Sequence, residues 1–352
     1  MVIGAHIWGE NVEQSKLLFA LRMVSSTKPE AKIILFVSSS SVDVPNNFVK
    51  VLISPKPKNK LLLYYWYQYK LPRLLTKYNI TTFISNTGML ASNKTSAQHL
   101  FIEDQNMFAE KNRFFNGKIN DAIENAKKIF IVDDFLGAQF AKAFPKHLNK
   151  LQQLNFNISE KPILFSVVEL EEIKDKYTGG LDYYLFPINS SSKVHVVTVL
   201  KAFSQLKKWQ KTSVKLVFLF AGAINENLLP DFKNYKHKND VVLIAETNEN
   251  KAQINASAFC YIYLSDYKSH QNVFYPLQYE VPVIAADADA NRLLFSFAIS
   301  YSAISVEELA RQLQLIYKDE AYNRQLLFEG KAFINTFNNE AQTQKFLEAI
   351  SN

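Results

Sequence analysis

The chain has 352 residues, 48% hydrophobic and 21% charged, which suits two domains with separate cores and excludes extended disorder. A net charge of +7 favours anionic partners such as phosphates, nucleotides or an acidic membrane face. No run of five basic residues occurs, which argues against nucleic acid as a partner, and the single cysteine, Cys260, excludes a disulfide framework.

In chain order, "VIGAH" reads as a strand and "NVEQSKLLFALRMVSS" as a helix, with Leu17, Leu18, Leu21 and Val24 on one face. "KIILFV" and "NNFVKVLIS" are strands, and "KLLLYYWYQYKLPRLLTKY" is a long helix broken near Pro72. "TTFISN" and "HLFIED" follow as strands, then the helical "GKINDAIENAKK", the strand "IFIVDD", the helical "GAQFAKAFP" and the apolar run "PILFSV" that closes the half. A charged, glycine-containing segment, Glu169 to Tyr183, marks the expected domain boundary.

The alternation then restarts. "YYLFPI" is a strand, "KVHVVTVLKAFSQLKKW" a helix, "VKLVFLFAG" and "DVVLIAE" strands, "NKAQINASA" a helix and "FCYIYLS" a strand. "NVFYPLQY" is helical, "VPVIAA" a strand, and "VEELARQLQLIYKD", "EAYNRQLLFEGKAFINTF" and "NEAQTQKFLEAIS" are helices. Strands alternating with helices predict parallel sheets covered on both faces. The expectation is an α/β chain of two sequential doubly wound domains, 1–168 and 181–335, with a terminal helix over 336–352 crossing back to the first. Ligands in such folds bind at the carboxyl ends of the strands, here expected in a cleft that the two domains face.

Only 9 glycines occur, and neither G-x-G-x-x-G nor G-x-x-x-x-G-K-[ST] is present, so the common phosphate-cradling fingerprints are missing. There is no H-E-x-x-H, and the six histidines are scattered, so no metal site is expected. His6 and His195 lie near strand ends, where a packed or solvated role is expected; Cys260, within "AFCYIYL", is expected in the core. The N-terminus lacks a basic head, and the longest apolar run, "LVFLFAGAI", is far shorter than the roughly 20 residues of a membrane span. A cytoplasmic protein is expected.

Several stretches, taken in order, carry a resemblance: "KYTGGLDYYLF", "VLKAFSQLKK", "INASAFCYIYLS", "YEVPVIAA" and "LIYKDEAYNRQLLFEGKAFINTF", with "YYWYQYKLPRLLTKYNITTFISNTGMLA" in the first half. The chain resembles the retaining GT-B glycosyltransferases of the family 4 type (glycosyl transferases group 1). That resemblance implies two Rossmann-like domains, a nucleotide-sugar donor, a glycan or lipid-linked acceptor, and no metal or other cofactor. The family's Arg-Lys pair for the donor diphosphate falls on Lys193 and Val194, so one cation remains. Ser190, Ser191 and Ser192 before it form either an anion cradle at a helix start or a plain serine cap.

The two glutamates that such enzymes carry around a glycine-rich bend fall on Lys268 and Tyr275, and the bend itself on residues such as Ser269 and Gln271. A lysine cannot accept hydrogen bonds from sugar hydroxyls, so the bend would hold an anion or nothing. The base-binding turn aligns with Ala245–Glu246–Thr247, and the family's His-Asp pair with Glu103 and Asp104, read as catalytic residues or as loop punctuation. Gly9 alone represents the glycine-rich first turn. The implied donor-side set is thus Ser191, Ser192, Lys193, Glu246, Thr247, Lys268 and Gln271, a degenerate version of the family's site.

Two functions follow from this pattern. One is sugar transfer with a remodelled donor pocket, as in cell-envelope polysaccharide synthesis; the other is an inactive GT-B scaffold serving as a binding or assembly partner, for instance of another glycosyltransferase. "KPKNKLLLYYWYQYKLPRLL" interleaves Lys56, Lys58, Lys60, Lys70 and Arg73 with Leu, Tyr and Trp66. Such a helix suits either an acidic membrane surface, peripherally at the inner face, or a core position with a charged outer edge.

Overall fold

The computed structural model describes residues 1–8, 12–39, 42–92, 95–104, 113–156, 162–188, 193–230, 234–264 and 271–351, with Gln14, Arg113, Phe114, Lys193, Glu226, Gln271 and Asn272 described by their backbone only. The chain divides into two compact units, Met1–Ile158 with Phe337–Asn352, and Ser159–Thr336. Residues 159–168, assigned to the first domain by sequence, fall in the second unit.

The first unit begins with β1 (Val2–His6), α1 (Lys16–Thr27), β2 (Lys32–Val37) and β3 (Phe48–Leu52). A helical stretch follows: α2 (Lys60–Tyr65), a wider π turn over Trp66–Lys70, and α3 (Leu71–Lys77). Then come β4 (Thr82–Ser85), β5 (Ala97–Ile102), α4 (Arg113–Asn125), β6 (Lys128–Ile131), α5 (Asp134–Ala143) and β7 (Leu151–Gln153). The seven strands pair in the order β3-β2-β1-β4-β5-β6-β7, with every pairing parallel. Burial on both faces explains why a strand such as "KIILFV" reads as a continuous apolar run. At Gly4 of β1 a Cβ would meet Ile80 Cδ1 at 2.7 Å, so a larger residue there would have to displace the Ile80 side chain.

The second unit runs α6 (Val167–Thr178), β8 (Tyr183–Ile188), α7 (Val196–Trp209), β9 (Lys215–Ala221), β10 (Val241–Glu246), α8 (Lys251–Ala256) and β11 (Cys260–Tyr263). It continues with α9 (Gln271–Gln278), β12 (Val283–Ala286), α10 (Asp289–Phe295), β13 (Ser300–Ser302), α11 (Val306–Lys318) and α12 (Glu320–Asn335). Its six parallel strands take the order β10-β9-β8-β11-β12-β13. The final helix, α13 (Asn339–Ser351), returns to the first unit, where Phe346 meets Phe130 edge-on with ring centroids 4.9 Å apart.

Four local differences from the sequence reading have physical causes. The apolar "PILFSV" forms no strand: Leu164 is 89% exposed, and Ser166 caps α6 through a reciprocal capping box with Glu169. The charged segment taken as a boundary is mostly that helix, closed by Gly179 at φ +67°. The edge strands β7, "LQQ", and β13, "SYS", are three residues each and carry no apolar run to announce them. The interruption expected near Pro72 lies one turn earlier as the π turn, since Pro72 sits at the start of α3, where its missing N–H costs little.

Candidate functional site

In each sheet the strand order reverses beside the first strand of its unit, β1 or β8, and ligands gather at the carboxyl ends there. In the first unit those ends carry Trp8 after β1, Asn86 and Thr87 after β4, and Glu103 and Asp104 after β5. They wall a cavity of about 380 Å³ together with Lys60, Phe115 and Lys118. Asn86 ties the wall together: its Oδ1 accepts from Trp8 N at 2.9 Å, and its Nδ2 donates to Glu103 Oε2 at 2.9 Å.

Glu103 is also held by the start of α1. Leu17 N donates to Glu103 Oε1 at 2.8 Å, and Ser15 Oγ donates to the same oxygen at 2.9 Å. Ser15 meanwhile caps the helix, accepting from Leu18 N at 3.3 Å. Lys16 beside them is buried, and burial draws its ammonium down to about 8 against the opposite pull of Asp133 and Glu103. The positive end of α1 is therefore neutralised by the chain's own carboxylate, where a related fold would offer it to a ligand anion. Asp104, next in sequence, is exposed at the cavity.

Beneath the cavity lies a closed hydroxyl ring. Tyr67 Oη and Ser85 Oγ are 2.7 Å apart, Ser85 Oγ and Thr87 Oγ1 2.8 Å, and Thr87 Oγ1 donates to Tyr67 Oη at 2.9 Å. His6 Nδ1 joins at 2.6 Å from Tyr67 Oη. These contacts fix Thr87 in the cavity wall. His6 is fully buried, as a packed histidine should be, and burial pushes its pKa down to about 3. His195 is half-buried in a 3-10 turn.

In the second unit the strand ends after β8 and β11 lead into residues 189–192 and 265–270, so Ser191, Ser192 and Lys268 lie outside the described residues. The backbone of Lys193 opens the 3-10 turn before α7, and that of Gln271 opens α9. Val194, which falls where the resemblance places a second cation, is 73% exposed. The end of β10 is well ordered by hydrogen bonds: Thr247 N donates to Asn250 Oδ1 at 2.8 Å and Asn250 Nδ2 to Ala245 O at 2.9 Å. Glu246 precedes that turn, and partial burial holds its carboxyl above the usual range, with Lys251 Nζ at 3.9 Å pulling the other way. Lys251 Nζ also lies 4.9 Å from the centroid of the Tyr275 ring. The structure thus brings Glu246, Thr247, Lys251 and Tyr275 to one region.

Among the described residues, no three His, Cys, Asp or Glu side chains form a metal-binding group. Cys260 is buried, and burial pushes its thiol up, away from reactivity. Sequence reasoning missed Asn86, Thr87 and Lys118, and read Lys60 as part of a membrane-facing or outer helix edge rather than of the cavity wall; Asn86 and Thr87 had a signal, since they directly follow a strand at the reversal point.

No family model matches the sequence, and neither does any curated protein. Solved structures do match over the whole chain. Anabaena Alr3699/HepE in complex with UDP has a TM-score of 0.73 at 13% identity, with 99% of each chain covered. The fold is that of the GT-B glycosyltransferases. A glycosyltransferase from Rickettsia africae gives a TM-score of 0.71 at 11% identity, covering 99% of this chain and 97% of that one. WaaG, a glycosyltransferase involved in lipopolysaccharide biosynthesis, gives 0.66 at 14% identity over 100% of both chains.

Proposed function

We propose that the protein transfers a sugar from a nucleotide-sugar donor to a glycan or lipid-linked acceptor, without a metal. The observation that carries this reading is the cavity at the carboxyl ends of β1, β4 and β5, in a GT-B fold whose structural relatives include the UDP-bound HepE. Asp104 would orient the acceptor hydroxyl, with Glu103 holding the wall. The anomeric C–O bond to the diphosphate breaks as the acceptor oxygen bonds to that carbon, and the acceptor proton passes to the departing phosphate. On the donor side, Lys193 with Ser191 and Ser192 would take phosphate, Glu246 and Thr247 the base and ribose, and Lys268 and Gln271 the bend around the sugar. Val194 and Tyr275, standing in for a cation and a carboxylate, make this a remodelled pocket. They also favour the second reading, an inactive scaffold that pairs with another glycosyltransferase.

Titration with UDP-, GDP- and ADP-sugars under thermal denaturation separates the two. A donor at 100 times its dissociation constant adds about 2.7 kcal/mol of stability. The enzyme reading expects one donor class to raise Tm and Lys193→Ala to abolish the rise; no shift with any of them would leave the scaffold.

The acceptor reading extends to an acidic lipid surface. From Val44 to Ile102 the chain has eight basic residues and no acidic one. Lys56, Lys58, Lys60, Lys70 and Arg73 are exposed, and between them Leu61, Leu62 and Tyr65 are exposed and Tyr69 is 65% exposed. The inward face of the same stretch, with Leu63, Trp66, Tyr67 and Leu71, is core, so its apolar residues serve two sides. No helix among the described residues is long and apolar enough to cross a membrane. Vesicles rich in phosphatidylglycerol should retain the protein at low salt, and Tyr65→Ser with Tyr69→Ser should weaken retention about tenfold, a loss of about 1.4 kcal/mol. Equal retention by neutral vesicles would remove the electrostatic part of the claim.

A further inference from the structure

A separate cavity of about 300 Å³ opens in the first unit, between the end of β3 with the turn after it and the helical face from Trp66 to Lys77. It shares no lining residue with the cavity at Glu103 and Asp104. Its volume is at the lower end of the range of about 300–1,000 Å³ typical of ligand sites, which suits a slender ligand. Ile53 and Trp66 are buried at its back. Val51 and Leu74 are half-buried and Leu52 is 52% exposed, so these three give it apolar sides that water reaches.

The mouth carries the opposite chemistry. Lys70, Arg73 and Lys77 are exposed and all line this cavity. Spacings of three and four residues set them along one helical face, where like charges repel. Among the described residues no carboxylate pairs with any of them: Lys70 Nζ donates to Ser54 O at 3.0 Å, and Lys77 Nζ lies 5.5 Å from the Tyr78 ring centroid. The sequence supplies none nearby either, since no acidic residue falls between Val44 and Ile102. Free phosphate would meet the cations and leave the apolar sides wet; a neutral hydrocarbon would cover the sides and leave the cations unmatched. An anionic lipid answers both, its phosphate accepting from the Arg73 fork and the two ammonium groups while a chain covers the leucines.

We infer that this cavity binds one anionic lipid drawn from a membrane, its phosphate held by Lys70, Arg73 and Lys77 and part of one acyl chain lying against Val51, Leu52 and Leu74. The inference rests on the acidic-lipid reading of this stretch, not on sugar transfer, and narrows it from a charged surface to a site for a single molecule.

The probe is lysophosphatidylglycerol with a brominated acyl chain, kept below its micelle concentration so that no bilayer is present. Bromine quenches indole fluorescence at close range. Trp66 is the tryptophan of this cavity, so the full chain carries Trp8→Phe and Trp209→Phe. Quenching should saturate, and equilibrium dialysis of the wild-type protein should give one lipid per chain. Leu52→Glu, at an exposed position, should abolish uptake by setting a carboxylate where the chain lies. Arg73→Gln with Lys77→Gln should weaken uptake about tenfold, and the zwitterionic lysophosphatidylcholine should bind weaker than the anionic lipid by about the same factor. Tyr65→Ser with Tyr69→Ser, outside the cavity, should leave uptake unchanged while weakening vesicle retention. No lipid bound in dialysis, or equal uptake by Leu52→Glu, overturns the site; vesicle retention that persists then leaves the surface reading without it. Displacement of the lipid by equimolar inorganic phosphate, or a lipid-independent dimer that Leu52→Glu dissociates, overturns it too, in favour of an anion or a second copy. Uptake without vesicle retention upholds the site and removes the surface reading.

Discussion

Lowering the pH from about 7.5 to about 4.5 is expected to strip several kcal/mol from the first unit, and most of that loss should trace to two histidines. His6 and His99 are both fully buried. Burial pushes His6 down to about 3; burial, with Lys127 and Lys128 nearby, pushes His99 down to about 4. A depressed histidine is neutral in the folded state and protonates first in the unfolded chain, near 6.5. Stability is therefore full above that value and falls as the pH drops through the window between the unfolded and folded values. At pH about 4.5 each histidine accounts for about 2–3 kcal/mol of the loss, from about 1.36 kcal/mol per pH unit.

His99 offers the cleaner test. Its ring stacks on Phe130 with centroids 5.8 Å apart, and neither nitrogen has a hydrogen-bond partner among the described residues. His99→Phe keeps an aromatic ring in that place and removes the titration. Denaturant unfolding followed by tryptophan fluorescence should show the variant gaining about 2–3 kcal/mol over wild type at pH about 4.5 and much less at about 7.5. Trp8 and Trp66, with ring centroids 6.1 and 5.1 Å from that of His6, report on this unit. Equal pH slopes for variant and wild type would show that His99 does not resist protonation.

The sheets were legible because their strands are buried on both faces and so consist of apolar runs such as "KIILFV" and "YYLFPI". The short edge strands were not, since Leu151–Gln153 and Ser300–Ser302 owe their form to a neighbour already in place. "PILFSV" misled for the opposite reason: it is apolar, yet it leads into the capped start of α6 rather than into a strand. At the site, position was readable and partnership was not. Glu103 stands at a strand end, as its sequence context predicts, yet its bonds to Ser15 and Leu17 join residues 88 and 86 positions apart. Lys118 reaches the cavity from α4, which no local pattern ties to β1 or β4. The remodelled donor residues could be aligned by resemblance, whereas the approach of Lys251 to Tyr275 depends on how α8 and α9 pack.

Replacing Glu103 should separate holding the fold from doing chemistry, two roles its position alone confounds. Glu103→Ala leaves Leu17 N–H, the Ser15 hydroxyl and the Asn86 amide without their acceptor, beside a buried Lys16. Removing one partner of a buried charge typically costs about 3–5 kcal/mol; Asp133 remains near Lys16, so the lower end is expected. Glu103→Gln keeps one acceptor oxygen for Leu17 and Ser15 but presents the Lys16 ammonium with no charge, and should cost about 1–2 kcal/mol. Asp104→Ala, at an exposed position, should move stability by less than about 0.5 kcal/mol. Under the transferase reading Asp104→Ala then lowers sugar transfer at unchanged stability, whereas Glu103→Gln lowers stability first and retains transfer wherever it stays folded. A Glu103→Ala protein as stable as wild type would show that the carboxylate does not anchor α1. In that event Glu103 would be free to meet the acceptor, and the pair after β5 would act together rather than as wall and contact.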